Sequence, residues 1–177
     1  MGFVPPLPAR WLSRAIVLSA LAAVMAALPA AAAEVVKIQR SIPFSDTAQV
    51  PPAVKAQCQL QTKVPEFVSQ AAGGSVQLVD GALDRNVGRV LEMQISEVHS
   101  PGGGAFSGPK WMEVKGVLYE RGKQIGSFRA RRVTTGGAFA VFKNTCSIIG
   151  RCSKAIGEDI AAWLAAPTAN ATLGDAN

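Results

Sequence analysis

Hydrophobic and polar residues alternate in five stretches of the chain beyond residue 33. Alternation with a period of two places one set of side chains on a buried face, so each stretch predicts a half-buried β-strand. The stretches are 36–44, 76–78, 91–95, 112–118 and 126–130. The last two flank a turn at Arg121-Gly122-Lys123 and therefore predict a β-hairpin.

The register of this hairpin follows from its apolar residues. They lie on one face only if the numbers of paired positions sum to an even value. A three- or five-residue loop centred on Gly122 meets this condition, whereas a two-residue loop turns one strand over. In that register Phe128 lies opposite Gly116, where its ring covers the missing side chain. Glu113 then lies opposite Arg131, and an ion pair between them is worth ~0.2–1 kcal/mol.

Two other stretches have helical periodicity. In 53–72, apolar residues recur three and four positions apart, with Thr62 as the predicted cap and Pro65 in an early position of the helix. A second apolar stripe predicts a helix that Pro167 terminates. The stripe consists of Ile149, Cys152, Ile156, Ile160 and Trp163. Residues 45–52 are predicted to form a loop.

The order strand, helix, four strands, helix predicts an α+β fold. We expect a two-layer sandwich in which a mostly antiparallel sheet of about five strands carries both helices on one face. No repeat or linker divides residues 34–167, so they form a single predicted domain. Residues 168–177 are small and polar and predict a disordered tail.

Residues 1–33 have the pattern of a secretory signal peptide. Arg10 and Arg14 precede an apolar run of about 14 residues, and small residues ending in Ala31-Ala32-Ala33 follow. The run is shorter than the ~20 residues of a membrane-spanning helix, although an uncleaved anchor is the alternative. No cysteine lies at the cleavage point, which argues against a lipoprotein. We expect cleavage near Ala33-Glu34 and a periplasmic or secreted protein.

The charge of the exported chain is mildly basic. Removing the two arginines of the leader lowers the formal charge from +6 to +4, since the leader contains no acid. This charge suits anionic envelope surfaces or an acidic partner and is too small to indicate nucleic-acid binding. The predicted partners are therefore an envelope protein or an anionic envelope ligand, and no transmembrane segment is predicted after cleavage.

Three cysteines, Cys58, Cys146 and Cys152, lie beyond the leader, and an oxidising compartment favours a disulfide between two of them. On one continuous helix, Cys146 and Cys152 would be ~9 Å apart along the axis, beyond the ~7 Å that a disulfide spans. Either a helix beginning near Ser153 allows a local Cys146–Cys152 bridge, or a helix beginning near Thr145 leaves Cys58 as the partner. The apolar stripe favours the second alternative, and the short separation favours the first. The third thiol is left over.

The sequence indicates no catalytic residue, metal site or cofactor. His99 is the only histidine, and no second ligand lies at metal-binding spacing from it. The loop at Gly102-Gly103-Gly104 lacks the phosphate-binding pattern and predicts a flexible connection, with Phe106 as a contact at its tip. Glu92 and Glu113 are predicted to lie on a solvated face rather than in a cleft. The chain is thus predicted not to be an enzyme.

The outer face of the hairpin is the best candidate for an interaction surface. It combines aromatic side chains with cations, which are frequent in protein and sugar contact surfaces. The residues are Trp111, Lys115, Tyr119, Arg129 and Arg131. The alternative is an ordinary half-solvated face, or one that another segment covers.

A motif in the last predicted helix resembles that of a group of small uncharacterised exported bacterial proteins. The matching residues are Thr145-Cys146-Ser147-Ile148, Arg151-Cys152, Lys154-Ala155, Gly157, Asp159-Ile160 and Trp163-Leu164. The order of elements is also loosely similar to envelope adaptor domains, such as the amino-terminal domain of TolB and the lipoprotein activators of peptidoglycan synthases. These resemblances imply an exported compact domain and carry no functional residue across.

The sequence as a whole predicts an exported, non-enzymatic binding or adaptor protein of the bacterial cell envelope. One alternative is a binder of an anionic small molecule or cell-wall ligand, which the positive charge favours. A second alternative is a thiol-dependent redox protein that uses the leftover cysteine. That activity requires an exposed sulfur with a lowered pKa.

Overall fold

The computed structural model describes residue 2 and residues 34–101, 108–134 and 144–176. The described residues between Ala32 and Asn177 belong to one compact unit. The predicted signal peptide and the glycine-rich loop with Phe106 lie outside the described residues. Among the helices of the described ranges, none is both long and apolar enough to cross a membrane.

The described residues contain seven strands and three helices, in an α+β arrangement. In chain order they are β1 (Val36–Gln39), β2 (Phe44–Gln49), α1 (Pro52–Gln57), α2 (Leu60–Ala71), β3 (Val76–Val79), β4 (Arg89–His99), β5 (Lys110–Glu120), β6 (Lys123–Thr134), α3 (Thr145–Ala165) and β7 (Ala171–Gly174). The sheet has the order β3-β1-β4-β5-β6-β7, and β2 pairs with β4.

The sheet is mixed, which corrects the prediction of a mostly antiparallel sheet of about five strands with two helices. β4, β5 and β6 are antiparallel neighbours. β1 is parallel to both β3 and β4, β2 is parallel to β4, and β7 is parallel to β6. Alternation along the chain reports a half-buried face and contains no information about the direction of the neighbouring strand.

The stretch predicted as one strand from Val36 to Phe44 is two strands. β1 ends at Gln39, and Arg40 to Pro43 form a bend before β2 begins at Phe44. β2 occupies most of the predicted loop 45–52, because the long strand β4 continues beyond β1 and pairs with β2 there. The break thus allows two short strands to share one long neighbour.

The predicted helix 53–72 is also interrupted. α1 and α2 are separated by Cys58 and Gln59, and Gln59 has a left-handed backbone with φ of 52°. Gln59 is the N-cap of α2, so Thr62 is not the cap and lies in the first turn, where its hydroxyl donates to the Gln59 carbonyl at 3.1 Å. A non-glycine residue in this conformation carries no sequence signal for the break.

Pro65 lies inside α2 rather than at its start. A proline has no N–H to donate to the carbonyl four residues earlier, which is that of Gln61. The Ile42 backbone N–H donates to this carbonyl at 3.0 Å. Because of the proline, the Gln61 carbonyl is available to accept this hydrogen bond, which connects α2 to the bend between β1 and β2.

The predicted hairpin register is confirmed, although the loop differs. Phe128 lies opposite Gly116, and a Cβ at Gly116 would be 2.5 Å from the Phe128 ring. The loop has two residues, Arg121 and Gly122, both with positive φ. A β-bulge at Ile125 adds the residue that the short loop omits, so the apolar faces stay aligned.

The core lies between the helices and one face of the sheet. The predicted apolar stripe of α3 is buried, and α3 begins with Asn144, whose side chain accepts a hydrogen bond from the Ser147 backbone N–H at 2.8 Å. Ser153 of α3 contacts the sulfur of Met112 on β5, at 3.2 Å. α3 contacts α2, β5 and β6, and the same core contains Val68, Val114, Leu118, Phe128 and Ala130 of those elements.

The residues after α3 form a strand, which corrects the predicted disordered tail. β7 pairs with β6, and the following Asp175 accepts a hydrogen bond from the Val133 N–H at 3.0 Å and donates its own N–H to the Arg131 carbonyl at 2.7 Å. Arg132 donates to both oxygens of Asp159, at 2.7 and 2.6 Å, and lies 3.8 Å from Asp175. The C-terminal segment is thus held to β6 by backbone and charged contacts.

Candidate functional site

The five residues predicted as an interaction surface lie on one face of the sheet. We call this the outer face, because the alternate residues of β5, including Met112, Val114 and Leu118, are buried in the core on the opposite face. The structure separates the five residues into two groups. Three line a groove, and the other two, Trp111 and Arg131, form a stacked cluster nearer the beginning of β5.

The outer-face groove has a volume of about 870 Å³. Its floor consists of side chains from β4 to β7, and the segment between β3 and β4 forms one wall. Asn170, just before β7, belongs to the opposite wall. The floor residues are Gln94, Lys115, Val117, Ser127, Arg129 and Thr172.

Four of the floor residues form a row across the sheet, which we call the polar ladder. Gln94 is paired with Lys115, Lys115 with Arg129, and Arg129 with Thr172, and all four side chains are exposed. At about 4.8 Å per strand, three strand spacings give the row a length of about 14 Å. An amide, an ammonium, a guanidinium and a hydroxyl therefore follow one another along one line.

The wall beside β4 is held by Arg85. Its guanidinium donates two hydrogen bonds to the Glu92 carboxylate, both at 2.6 Å, and lies 4.7 Å from the centre of the Tyr119 ring. The hydrogen bond to Glu92, and then its charge, raise the pKa of Arg85 further above its ordinary value. The charge of Arg85 is thus compensated within the wall.

The predicted ion pair between Glu113 and Arg131 does not form. The two residues are opposite each other in the register, but the Glu113 carboxylate accepts a hydrogen bond from Ser96 at 2.9 Å. It also lies 3.6 Å from Lys115 Nζ and 3.8 Å from Arg129 Nε. Glu113 is buried, which corrects its assignment to a solvated face. Its carboxylate lies beside the two cations of the polar ladder.

The stacked cluster consists of His99, Trp111 and Arg131. The rings of His99 and Trp111 are parallel within 14°, with centroids 3.6 Å apart, and the Arg131 guanidinium lies 4.9 Å from the Trp111 ring. Trp111 Nε1 is buried and has no hydrogen-bond partner among the described residues. Within those residues, no group of three histidine, cysteine or acidic side chains is arranged to hold a metal ion.

A disulfide joins Cys58 and Cys146. α3 begins at Thr145, as the second of the two alternatives requires, and Cys152 is the free thiol. Cys152 is buried, and its sulfur lies 3.9 Å from the Lys110 carbonyl. Burial is the main cause that raises the pKa of Cys152 to about 11. The thiol thus lacks both the exposure and the low pKa that redox chemistry requires.

We expect the native protein to resist alkylation at Cys152. With a pKa of about 11, only about one thiol in a thousand is ionised at pH 8, and the sulfur is shielded from the reagent. Mass spectrometry after exposure to iodoacetamide should show slow modification of the folded chain and rapid modification in denaturant. Equal rates in the two states would contradict the buried position of this thiol.

Comparison with known proteins bears on the fold alone. No family model and no curated protein matches the sequence. A solved structure of an uncharacterized protein is similar over 73% of this chain and 91% of its own, with a TM-score of 0.50 and 10% identity. This likeness supports the α+β fold and carries no functional information.

Two other solved structures are less similar. A single-residue variant of the PelC dodecamer from Paraburkholderia phytofirmans has a TM-score of 0.39 and 16% identity, over 72% of this chain and 92% of its own. A minor lipoprotein from Acinetobacter baumannii has a TM-score of 0.33 and 17% identity, over 71% of this chain and 92% of its own. Likenesses this weak support no inference about the present chain.

Three polar residues of the groove floor were missed from the sequence, for different reasons. Gln94 lies between the apolar residues of a recognised strand, so alternation alone places it on the outer face. Ser127 has the same signal on β6. Thr172 had no signal, because its strand lies in the segment predicted to be disordered.

Proposed function

We propose that this protein is an exported, non-enzymatic binding protein of the bacterial cell envelope, and that the outer-face groove is its binding site. The observation that carries the proposal is the groove itself. Its volume of about 870 Å³ lies within the ~300–1,000 Å³ of typical small-molecule sites. Polar side chains from four strands converge on its floor, beside the apolar surface of Val117 and Tyr119.

Two features support export. The leader has the charged, apolar and small-residue regions of a signal peptide. The Cys58–Cys146 disulfide is typical of oxidising compartments outside the cytosol.

The chemistry of the groove supports binding rather than catalysis. Its cations are Lys115, Arg129 and the compensated Arg85, and the hydroxyl of Ser127 donates to the Asn170 side chain at 3.3 Å rather than to a base. Nucleophilic catalysis needs a nucleophile hydrogen-bonded to a general base. The groove thus offers groups that bind and orient a ligand.

A photocrosslinking residue in the groove tests this proposal. We would place p-benzoylphenylalanine at Thr172, which lines the groove, or at Lys154, which is exposed on α3, and irradiate cells that produce the protein. A discrete adduct at position 172 that is absent at position 154 is expected. The same products at both positions, or none at either, would contradict a binding site in the groove.

The stacked cluster favours a second candidate, an adaptor that docks an envelope protein. Tryptophan and arginine are among the residues most enriched in interface hot spots, and Trp111 and Arg131 contact each other on the outer face. In-cell crosslinking should then capture one envelope protein, and W111A and R131E should abolish this product while K154E retains it. Capture that is unchanged in W111A and R131E would exclude this surface.

A further inference from the structure

Building on the proposed binding function of the groove, we propose that its ligand is a small molecule held by one oxyanion, a phosphate or a carboxylate, between Lys115 and Arg129. The rest of the ligand lies along the polar ladder toward Gln94 and Thr172. The phosphate and the carboxylate share the chemistry that two adjacent cations recognise.

The first argument is the pairing of two like charges. Lys115 and Arg129 are directly opposite on β5 and β6, in the interior of the sheet. Such pairs have Cβ atoms about 4.5–5.5 Å apart, and like charges at this separation are destabilising. An anion between the two cations removes this repulsion, so the pair is better suited to the bound state than to the empty one.

The second argument is that Glu113 compensates the pair only in part. Its carboxylate is 3.6 Å from Lys115 Nζ and 3.8 Å from Arg129 Nε, whereas charge-assisted hydrogen bonds between nitrogen and oxygen are about 2.7–2.9 Å long. The single Glu113 carboxylate therefore lies near both cations without a short hydrogen bond to either. The Glu113 side chain is 9% exposed, while those of Lys115 and Arg129 are 51% and 45% exposed. The two cations are thus accessible to a ligand, and the acid is not.

The third argument is the pre-ordering of Arg129. One of its terminal nitrogens donates to the Ala176 carbonyl at 2.6 Å, which fixes the guanidinium beside β7. A held guanidinium loses less conformational entropy when a ligand binds. Arg85, in contrast, already forms two short hydrogen bonds with Glu92, so its charge does not compete for the oxyanion.

The groove surface around the cationic pair indicates the chemistry of the rest of the ligand. Gln94 and Thr172 lie one strand away on either side of the cationic pair, and each offers both a donor and an acceptor. Val117 and Tyr119 supply apolar area on the same face. The groove therefore fits a ligand body that carries hydroxyl or amide groups.

Three sugars of the same ring size test this inference. We would titrate the purified protein with glucose 1-phosphate, glucuronate and glucose, and follow backbone amides by two-dimensional NMR. Both anions are expected to shift the amides of Lys115, Arg129 and Thr172, and added salt should weaken their binding, because the attraction is between charges. Glucose is expected to cause no such shifts. The two anions distinguish a phosphate from a carboxylate ligand by their relative affinities.

Matched variants separate binding from folding. K115Q and R129Q should each bind the anions about tenfold more weakly, because each loses a charge-assisted contact. Circular dichroism should show that K115Q and R129Q are both folded, since one cation remains beside Glu113 in each variant. K154Q removes an exposed lysine from α3 and should leave the affinity unchanged. Folded K115Q and R129Q with native affinity would overturn the inference.

The outcomes also separate this inference from the proposed function. If glucose shifts the groove amides as strongly as the anions do, the groove is a binding site and the oxyanion inference is wrong. If no sugar shifts the groove amides, the molecule that is crosslinked at position 172 tests the inference instead. An anionic small molecule there supports the inference, and a neutral molecule or a protein overturns it. No adduct at that position contradicts both proposals.

Discussion

Replacing both Cys58 and Cys146 with alanine is expected to lower the free energy of unfolding by about 4 kcal/mol. The two residues are 88 positions apart, so their bond restricts a large part of the unfolded chain. The bond also attaches the junction of α1 and α2 to the first turn of α3, and Cys58 is fully buried. Urea unfolding of the double variant and the native protein would measure the difference.

Reduction provides the control for this prediction. A reductant present during unfolding should destabilise the native protein by a similar amount and should leave the double variant unchanged, because its remaining cysteine, Cys152, has no partner to bridge. A native protein whose urea midpoint does not respond to the reductant would show that the disulfide contributes nothing to stability.

The second large effect is expected at Gly157, where alanine should cost about 2 kcal/mol. A Cβ at this position would lie 2.6 Å from Phe67 Cβ, 2.8 Å from the Phe67 carbonyl carbon and 2.9 Å from the Val68 nitrogen. Two of these atoms belong to the backbone of α2, so no side-chain rotation relieves the contact. The two helices must move apart, and the expected result is a lower unfolding temperature.

Gly150 is the matched control for Gly157, since it lies about two turns earlier in the same helix. A Cβ there meets no atom within 4 Å, so G150A gains the higher helix propensity of alanine, about 1 kcal/mol, without a clash. The two substitutions are chemically identical and should change stability in opposite directions. If both stabilise the protein, the close approach of α2 and α3 at Gly157 is not required.

In the hairpin, the alternation of apolar and polar residues along the chain was sufficient to predict which residues of β5 and β6 face each other. The facing of Gly116 and Phe128 follows from the requirement that both apolar sets lie in the core, and that requirement is independent of how the strands are connected. The connection itself was predicted wrongly, because the bulge at Ile125 achieves the same register with a shorter loop. Burial therefore fixes the facing of two strands more firmly than it fixes the turn between them.

Only residues of the groove floor could be predicted from the sequence. Lys115 and Arg129 of the floor were identified because they lie between apolar residues on β5 and β6. The walls come from the segment between β3 and β4, which has no periodic pattern, and from residues beside β7, which had no strand signal. The outer face of the sheet forms a groove only because these segments, which are distant along the chain, lie on either side of it.

The chain's own pattern of apolar and polar residues was enough to establish an α+β domain, the facing of the hairpin and the buried stripe of α3, because these depend on neighbours within a few residues. The partner of Cys146, the parallel pairing of β7 and the row from Gln94 to Thr172 depend on residues far apart along the chain. Such contacts form only after the helices and strands pack together. The apolar stripe favoured one alternative for the disulfide and the short separation favoured the other, and the three-dimensional packing of α2 against α3 selected between them.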